Sequence, residues 1–251
     1  DVWIQNIRNH LSNRQRTRSM NYQKIGQPVR RREDARLLTG QGRFSDDWFI
    51  EGQAHMAVVR STYAHAMIRG IDTVAARSMP GVLAVLTGED CRIDNLAPIP
   101  HSPLPSTKHD MKLHGPGGSE VFIGNHLPLP ADKVRYVGEA LAVVVAETLA
   151  QAADAAEVVI VNYDPLPAVT DTAKAAADGA PTVWDEVPDN ICIETFFGDK
   201  EGTDAAFAVA DHIVDMDIFI DRVTGVPMEP RAALGEYDPE TGRYTIYAGS
   251  G

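Results

Sequence analysis

The middle of the chain holds the feature that most limits its fold: a strand pattern, a helix pattern and a second strand pattern in close succession. Residues 140–146 form an uninterrupted apolar run rich in Val and Ala, which indicates a buried strand. The Ala-rich residues 147–159 place apolar side chains at helical spacing, with Thr148 as candidate N-cap. Residues 158–169 return to a strand pattern that two prolines close. This order predicts a right-handed parallel crossover.

A smaller unit of the same kind precedes it. Residues 53–61 have the apolar and β-branched character of a strand. Asp72 is a candidate N-cap for a short helical turn that ends at Pro80 and Gly81. Residues 82–90 then predict another strand, so this part of the chain predicts a small β-α-β unit.

Residues 95–131 interrupt this regularity with seven prolines and four histidines among polar residues. A stretch so rich in proline predicts an irregular excursion rather than one regular element. Its histidines are separated by 8, 5 and 12 positions, which matches no compact zinc spacing, so solvated or structural roles are expected for His101, His109, His114 and His126. His65 follows a strand-like run and is a candidate base, although a structural role through a hydrogen bond is the expectation.

The last third of the chain predicts four further features. Residues 170–200 are rich in Ala, Asp, Gly and Pro, which indicates a linker or lid. A short helix capped by Thr203 or Asp204 should follow. Residues 213–222 alternate apolar and acidic side chains, which predicts a strand with one apolar face. Residues 232–248 predict a hairpin around an Asp-Pro-Glu-Thr-Gly-Arg turn.

Charge and cysteine content exclude several classes of protein. A net charge of −12 argues against nucleic-acid binding, and no apolar run approaches the ~20 residues of a membrane span, so a soluble protein is expected. Residues 1–33 carry eight Lys or Arg against two acids and lack a secretory apolar core, which predicts a disordered basic extension. One disulfide between Cys91 and Cys192 is conceivable, but free and buried thiols are expected, and two cysteines are too few for a [2Fe–2S] cluster.

The candidate chemical groups are few when taken from the residues alone. The neighbouring carboxylates Asp46 and Asp47 predict a solvated turn, since adjacent side chains on an extended chain point apart. Glu229 and Arg231 flank a proline and form either a ligand-positioning element or a structural ion pair. The Gly249-Ser250-Gly251 loop follows a strand and offers backbone N–H groups to an anionic cofactor. Neither a nucleotide-binding glycine motif nor a hydrolase nucleophile elbow is present in the sequence.

Five segments, taken together, are more specific than any single motif. Their order along the chain resembles that of the molybdenum-binding large subunit of the xanthine dehydrogenase, aldehyde oxidase and carbon monoxide dehydrogenase family. The resembling segments are residues 25–47, 59–72, 80–90, 134–169 and 227–242.

The resemblance implies an α/β (α+β) fold in two parts. After a basic lead-in over residues 1–33, an α/β-hammerhead domain would occupy residues 34–170. A linker over residues 171–186 would lead to the start of a molybdopterin-binding domain at residues 187–251. That domain continues much further in the family, so the chain is expected to be the amino-terminal part of a larger or split subunit.

The resemblance also implies a chemistry and a set of partners. Family members hydroxylate or oxidise small molecules at molybdenum held by molybdopterin cytosine dinucleotide, with [2Fe–2S] and FAD on partner subunits in a cytoplasmic heteromer. The family's catalytic glutamate lies further along its chain, so neither a catalytic residue nor a metal ligand is expected here. Cofactor contacts are expected at Gly249, Ser250 and Gly251.

One departure from the family pattern keeps an alternative open. Ser250 stands where many members carry a glutamine that contacts the pterin. The role of that glutamine does not transfer to this chain. The alternative is a non-catalytic assembly or binding module that retains the hammerhead fold.

Overall fold

The computed structural model describes most of the chain, whose residues divide into two units. The described residues are 26, 30–100, 104–105, 107, 109–221 and 223–249, so most of the predicted basic extension lies outside them. One unit spans Ile50–Asp221, and the other combines Asp1–Phe49 with Arg222–Gly251. The domain bounds expected from the sequence stay predictions. None of the helices in the described ranges has the length and apolar character required to cross a membrane.

The secondary structure consists of short helices, two three-stranded sheets and one two-stranded sheet. The helices are α1 (Asp34–Leu38), α2 (Val74–Arg77), α3 (Gly88–Ile93), α4 (Leu149–Glu157), α5 (Thr172–Ala175) and α6 (Lys200–Ala208). The strands are β1 (His55–Arg60), β2 (Ala66–Asp72), β3 (Val82–Thr87), β4 (Lys133–Val134), β5 (Ala140–Ala146), β6 (Ile160–Pro165), β7 (Ala233–Asp238) and β8 (Arg243–Ala248). Single 3₁₀ turns lie at Ser45–Asp47 and Pro116–Gly118.

The larger unit contains two three-stranded sheets in the orders β1-β5-β3 and β4-β2-β6. Every strand pairing in the described structure is antiparallel. Strand β5 is central in its sheet, with Val143 opposite Val58 of β1 and Val144 opposite Val85 of β3. Both of its edges are therefore occupied by hydrogen-bonded neighbours.

The two faces of β5 are buried in two different clusters. Val144 packs with residues from α2, β3 and α4: Ala76, Val85 and Ala155. Leu141 packs with residues from β2 and β4: Ala66, Ile68 and Val134. The β1-β5-β3 sheet thus lies between a layer of helices and the second sheet. A strand covered on both faces carries apolar side chains throughout, which explains the unbroken apolar run.

The predicted parallel crossover is wrong, although its three elements are confirmed. Helix α4 begins after Thr148, whose hydroxyl accepts the N–H of Gln151 at 3.3 Å. Strands β5 and β6 nevertheless belong to different sheets, and β6 pairs antiparallel with β2. Because β1 and β3 occupy both edges of β5, the returning strand must find its partner in the second sheet.

The earlier β-α-β prediction identified β1, α2 and β3 and missed β2 between them. Strand β2 contains Arg69 and Gly70, and its register with β6 shifts between Ile68 and Gly70. This irregularity weakens the sequence signal of a strand. Helix α2 begins after Thr73 rather than Asp72, whose carboxylate instead accepts the N–H of Val74 at 3.0 Å.

The irregular excursion is confirmed for the described part of residues 95–131, where the 3₁₀ turn Pro116–Gly118 is the one helical element. The predicted cap of α6 is wrong. That helix begins earlier, and the Asp199 carboxylate accepts the N–H of Gly202 at 2.9 Å.

The strand predicted over residues 213–222 is not formed within the described structure, and Arg222 lies outside the described residues. No strand is assigned among the described residues between α6 and β7, and the side chains from Ile213 to Ile220 are exposed. No described strand pairs with this segment. The alternation is therefore present without the hydrogen-bonded neighbour that a strand requires.

Shortening a buried side chain on β5 should lower the stability of the larger unit. Leu141→Ala removes a fully buried side chain and should lower the free energy of unfolding by about 2–5 kcal/mol. The matched control Leu83→Ala, at a side chain 58% exposed on β3, should cost about 1 kcal/mol or less. Urea denaturation of both variants measures the difference, and equal losses would contradict this description of the core.

The half-buried Glu139, directly before β5, should make stability depend on pH. Burial raises the pKa of this carboxyl, while the hydrogen bond donated by the Arg135 N–H (2.7 Å) opposes the shift. A raised pKa in the folded state means that stability is lost as pH rises through that pKa. Glu139→Gln should therefore be more stable than wild type at neutral pH, and the difference should disappear below the ordinary carboxyl pKa. Unfolding free energies measured across pH test this, and a pH-independent difference would refute it.

Candidate functional site

The candidate site lies in the smaller unit, at the end of the predicted hairpin. The hairpin is confirmed, with Ala233 of β7 opposite Ala248 of β8. At its turn the Asp238 carboxylate accepts the hydroxyl of Thr241 and the N–H of Glu240, and these bonds lower the pKa of Asp238. This stable turn fixes the register of β8, which delivers Gly249 directly after its last residue.

The 3₁₀ turn Ser45–Asp47 packs against this hairpin in the same unit. The ring of Trp48, directly after the turn, lies 4.8 Å from the ring of Tyr247 on β8, measured between centroids. The Asp47 carboxylate accepts the N–H of Phe44 at 2.9 Å. The predicted turn at Asp46 and Asp47 is thus confirmed, and Asp47 helps to close it.

Three distant parts of the sequence meet where the turn contacts the hairpin. The Glu229 carboxylate accepts hydrogen bonds from both the N–H and the hydroxyl of Ser45, each at 3.2 Å. Ser45 is 9% exposed. A Cβ placed on Gly249 would lie 2.8 Å from the Ser45 hydroxyl and 3.4 Å from the Glu229 carboxylate. A side chain at Gly249 would therefore push against this hydrogen-bonded pair.

This geometry decides between the two interpretations of Glu229. Among the described residues Glu229 forms no ion pair with Arg231, so the ion-pair interpretation is wrong. Its carboxylate instead accepts the two hydrogen bonds that hold Ser45 beside the backbone of Gly249. Both hydrogen bonds end on Oε1 of Glu229, so this oxygen holds the Ser45 turn in place.

Of the three residues expected to contact a cofactor, Gly249 is described, and Ser250 and Gly251 lie outside the described residues. Sequence reasoning did not single out Ser45. No local pattern marks it, because its partner lies 184 positions away. The one available signal was that residues 25–47 and 227–242 both belong to the segments that resemble the family.

The other candidate groups have structural roles. Nδ1 of the 91% buried His65 lies 2.8 Å from the Pro167 carbonyl oxygen, so Nδ1 carries the proton and makes the hydrogen bond expected of a structural histidine, while the buried Nε2 has no partner among the described residues. Cys91 and Cys192 are free thiols, as expected, but both are partly exposed rather than buried, and partial burial raises the pKa of Cys91. Among the described side chains, no group of three or more His, Cys, Asp and Glu is placed to hold a metal ion.

Two family models match consecutive parts of the chain. The aldehyde oxidase and xanthine dehydrogenase α/β-hammerhead domain matches residues 39–167. The molybdopterin cofactor-binding domain matches residues 183–250, which include Glu229 and Gly249.

Individual proteins that are similar to this chain have names consistent with these two family models. The chain is 38% identical to the 6-hydroxypseudooxynicotine dehydrogenase complex subunit gamma of Paenarthrobacter nicotinovorans, over 86% of this chain and 25% of that protein. It is 33% identical to the carbon monoxide dehydrogenase large chain of Afipia carboxidovorans, over 92% of this chain and 28% of that protein. The crystal structure of quinoline 2-oxidoreductase from Pseudomonas putida 86 superposes with a TM-score of 0.74 at 32% identity, covering 92% of this chain and 27% of that one. The chain thus spans about a quarter of the length of these relatives.

The contact between Ser45 and Glu229 should be measurable as a coupling energy. In a double-mutant cycle, Ser45→Ala and Glu229→Gln should couple by about 1 kcal/mol, because the hydroxyl donates to the carboxylate. Ser45→Ala with Glu236→Gln on β7 is the control pair and should show additive effects. Urea denaturation of the single and double variants gives both values, and additivity of the first pair would contradict the observed contact.

Proposed function

Because the chain belongs to the aldehyde oxidase and xanthine dehydrogenase family, we propose that it is the amino-terminal part of a molybdenum hydroxylase large subunit. The proposed reaction is the oxidation or hydroxylation of an aldehyde, an N-heterocycle or a similar small molecule, with oxygen derived from water. Relatives named as a nicotine 6-hydroxylase large subunit and an aldehyde oxidoreductase support this class of substrate.

The cofactor proposed for the whole subunit is molybdopterin cytosine dinucleotide with molybdenum. The match to a molybdopterin cofactor-binding domain supports it. Gly249 fits such a group, since the Ser45 hydroxyl occupies the place of a Cβ and leaves a loop backbone without a side chain, and a bare backbone N–H of this kind is suited to an anionic ligand. When bound, the cofactor would supply the two-electron oxidation of the substrate.

The contribution of this chain to that chemistry is positioning. Glu229 fixes Ser45 through two hydrogen bonds, and Ser45 sets the space beside Gly249. The layered hammerhead unit would serve as scaffold and as a wall of the substrate funnel. No catalytic residue is assigned to these 251 positions. The chain alone is therefore proposed to be inactive.

The proposed assembly is a cytoplasmic heteromer of this chain, the rest of the large subunit, an iron–sulfur subunit with [2Fe–2S] clusters and a FAD subunit. A relative named as a subunit of a dehydrogenase complex and relatives named as large chains support a multi-subunit enzyme. The position of Gly249 beside Ser45 and Glu229, within a matched cofactor-binding domain, is the observation that carries the proposal.

The experiment compares two glycine variants in the complete large subunit, purified with its partners. Gly249→Ala should lower the content of molybdenum and cytosine dinucleotide several-fold, because the new methyl group would contact the Ser45 hydroxyl. Gly235→Ala on β7 is the matched control, since a Cβ there has no neighbour within 4 Å, and its cofactor content should be unchanged. Metal analysis and quantification of released nucleotide give the result.

Two outcomes would overturn the proposal. Full cofactor content in Gly249→Ala would remove the role assigned to the loop. Stoichiometric molybdenum in the isolated 251-residue chain would contradict its assignment as an incomplete part of the site.

A further inference from the structure

Residues 213–220 are an apolar segment without a described neighbour. Its even-numbered side chains form a continuous apolar series, and all of them are largely exposed: Val214 (88%), Met216 (76%), Ile218 (73%) and Ile220 (84%). Its odd-numbered positions are mixed: Asp215 and Asp217 lie between the exposed apolar side chains Ile213 (54%) and Phe219 (81%). In an extended chain these two sets point to opposite sides, so the segment has one apolar face and one face that bears charge.

The backbone of this segment also lacks hydrogen bonds to the rest of the described chain. Within the described part of the chain, no hydrogen bond involves a backbone group of residues 213–220. The neighbouring helix α6 ends at Ala208, and the next strand begins at Ala233. An apolar face cannot be covered without desolvating the adjacent N–H and C=O groups, and these then require hydrogen-bond partners. A β-strand is the partner that satisfies both requirements at once.

A second copy of this chain does not suit the segment. Antiparallel pairing of residues 213–220 with themselves about Asp217 would bring the carboxylates of both copies together on one face. Like charges at opposed positions destabilise a strand pair. A partner strand of different sequence avoids this repulsion.

The length of the relatives points to such a partner. The chain spans about a quarter of the large subunits that it matches, so most of such a subunit lies outside the structure. We propose that residues 213–220 form a β-strand that pairs with a strand from the remaining part of the large subunit. The even-numbered side chains pack into its core, and Asp215 and Asp217 face away from it. This inference rests on the proposed assignment as part of a larger subunit and is independent of the reaction.

Hydrogen exchange in the complete large subunit tests the pairing directly. In the assembled complex, amides within residues 213–220 should exchange about a hundredfold more slowly than an unstructured chain, because paired amides exchange only when the sheet opens. Exchange of the whole segment at the unstructured rate would overturn the proposal. Protection does not depend on bound molybdenum. Protection in a cofactor-free subunit would therefore support the pairing even if the proposed reaction were wrong.

Two substitutions in the complete subunit test which face is buried. Ile218→Asp places a charge on the apolar face and should lower the yield of assembled complex several-fold. Asp217→Ser, one residue away on the other face, should leave the yield unchanged. Normal assembly of Ile218→Asp, or an equal loss in Asp217→Ser, would overturn the orientation. The exchange measurement on the wild-type subunit decides whether the segment is paired, whatever the yield of the variants.

Discussion

Burial of β5 on all sides is the constraint on which the layers of the larger unit depend. Leu141 and Val144 are both fully buried, although they point to opposite faces of the same strand. Such a strand needs a layer of helices on one face and a second sheet on the other, in addition to a hydrogen-bonded strand at each edge. The antiparallel order of both sheets follows, because β1 and β3 take the two edges and β6 must pair elsewhere. The chain supplies each of these neighbours from within residues 50–221.

The smaller unit depends on a different kind of contact. Its parts come from the two ends of the chain, and the described hydrogen bonds that link them run from Ser45 to Glu229. Aromatic packing between Trp48 and Tyr247 supports the same contact. The result places a side-chain-free backbone position, Gly249, against a fixed hydroxyl. Gly249 also lies within residues 183–250, which match a cofactor-binding domain.

Segments whose stability is local could be predicted well. The Ala-rich helix after Thr148 and the hairpin around Asp238 were both recognised, because a cap and a turn need only residues that are close in the sequence. The helix before Ala208 was found with the wrong cap, since Asp199, Thr203 and Asp204 are all plausible caps by residue type. Residues 213–220 carried a clear strand alternation, but an alternation specifies faces and does not supply a neighbour.

The sequence by itself determined which segments are apolar on one face or on both, where chain turns occur, and to which family the ordered segments are similar. Those properties are set by side-chain chemistry and short-range spacing. The tertiary structure decided that β5 and β6 separate into different sheets and that Ser45 and Glu229 meet beside Gly249. Both outcomes depend on competition among groups far apart in sequence for the same edges and hydrogen bonds, and only a folded chain resolves such competition.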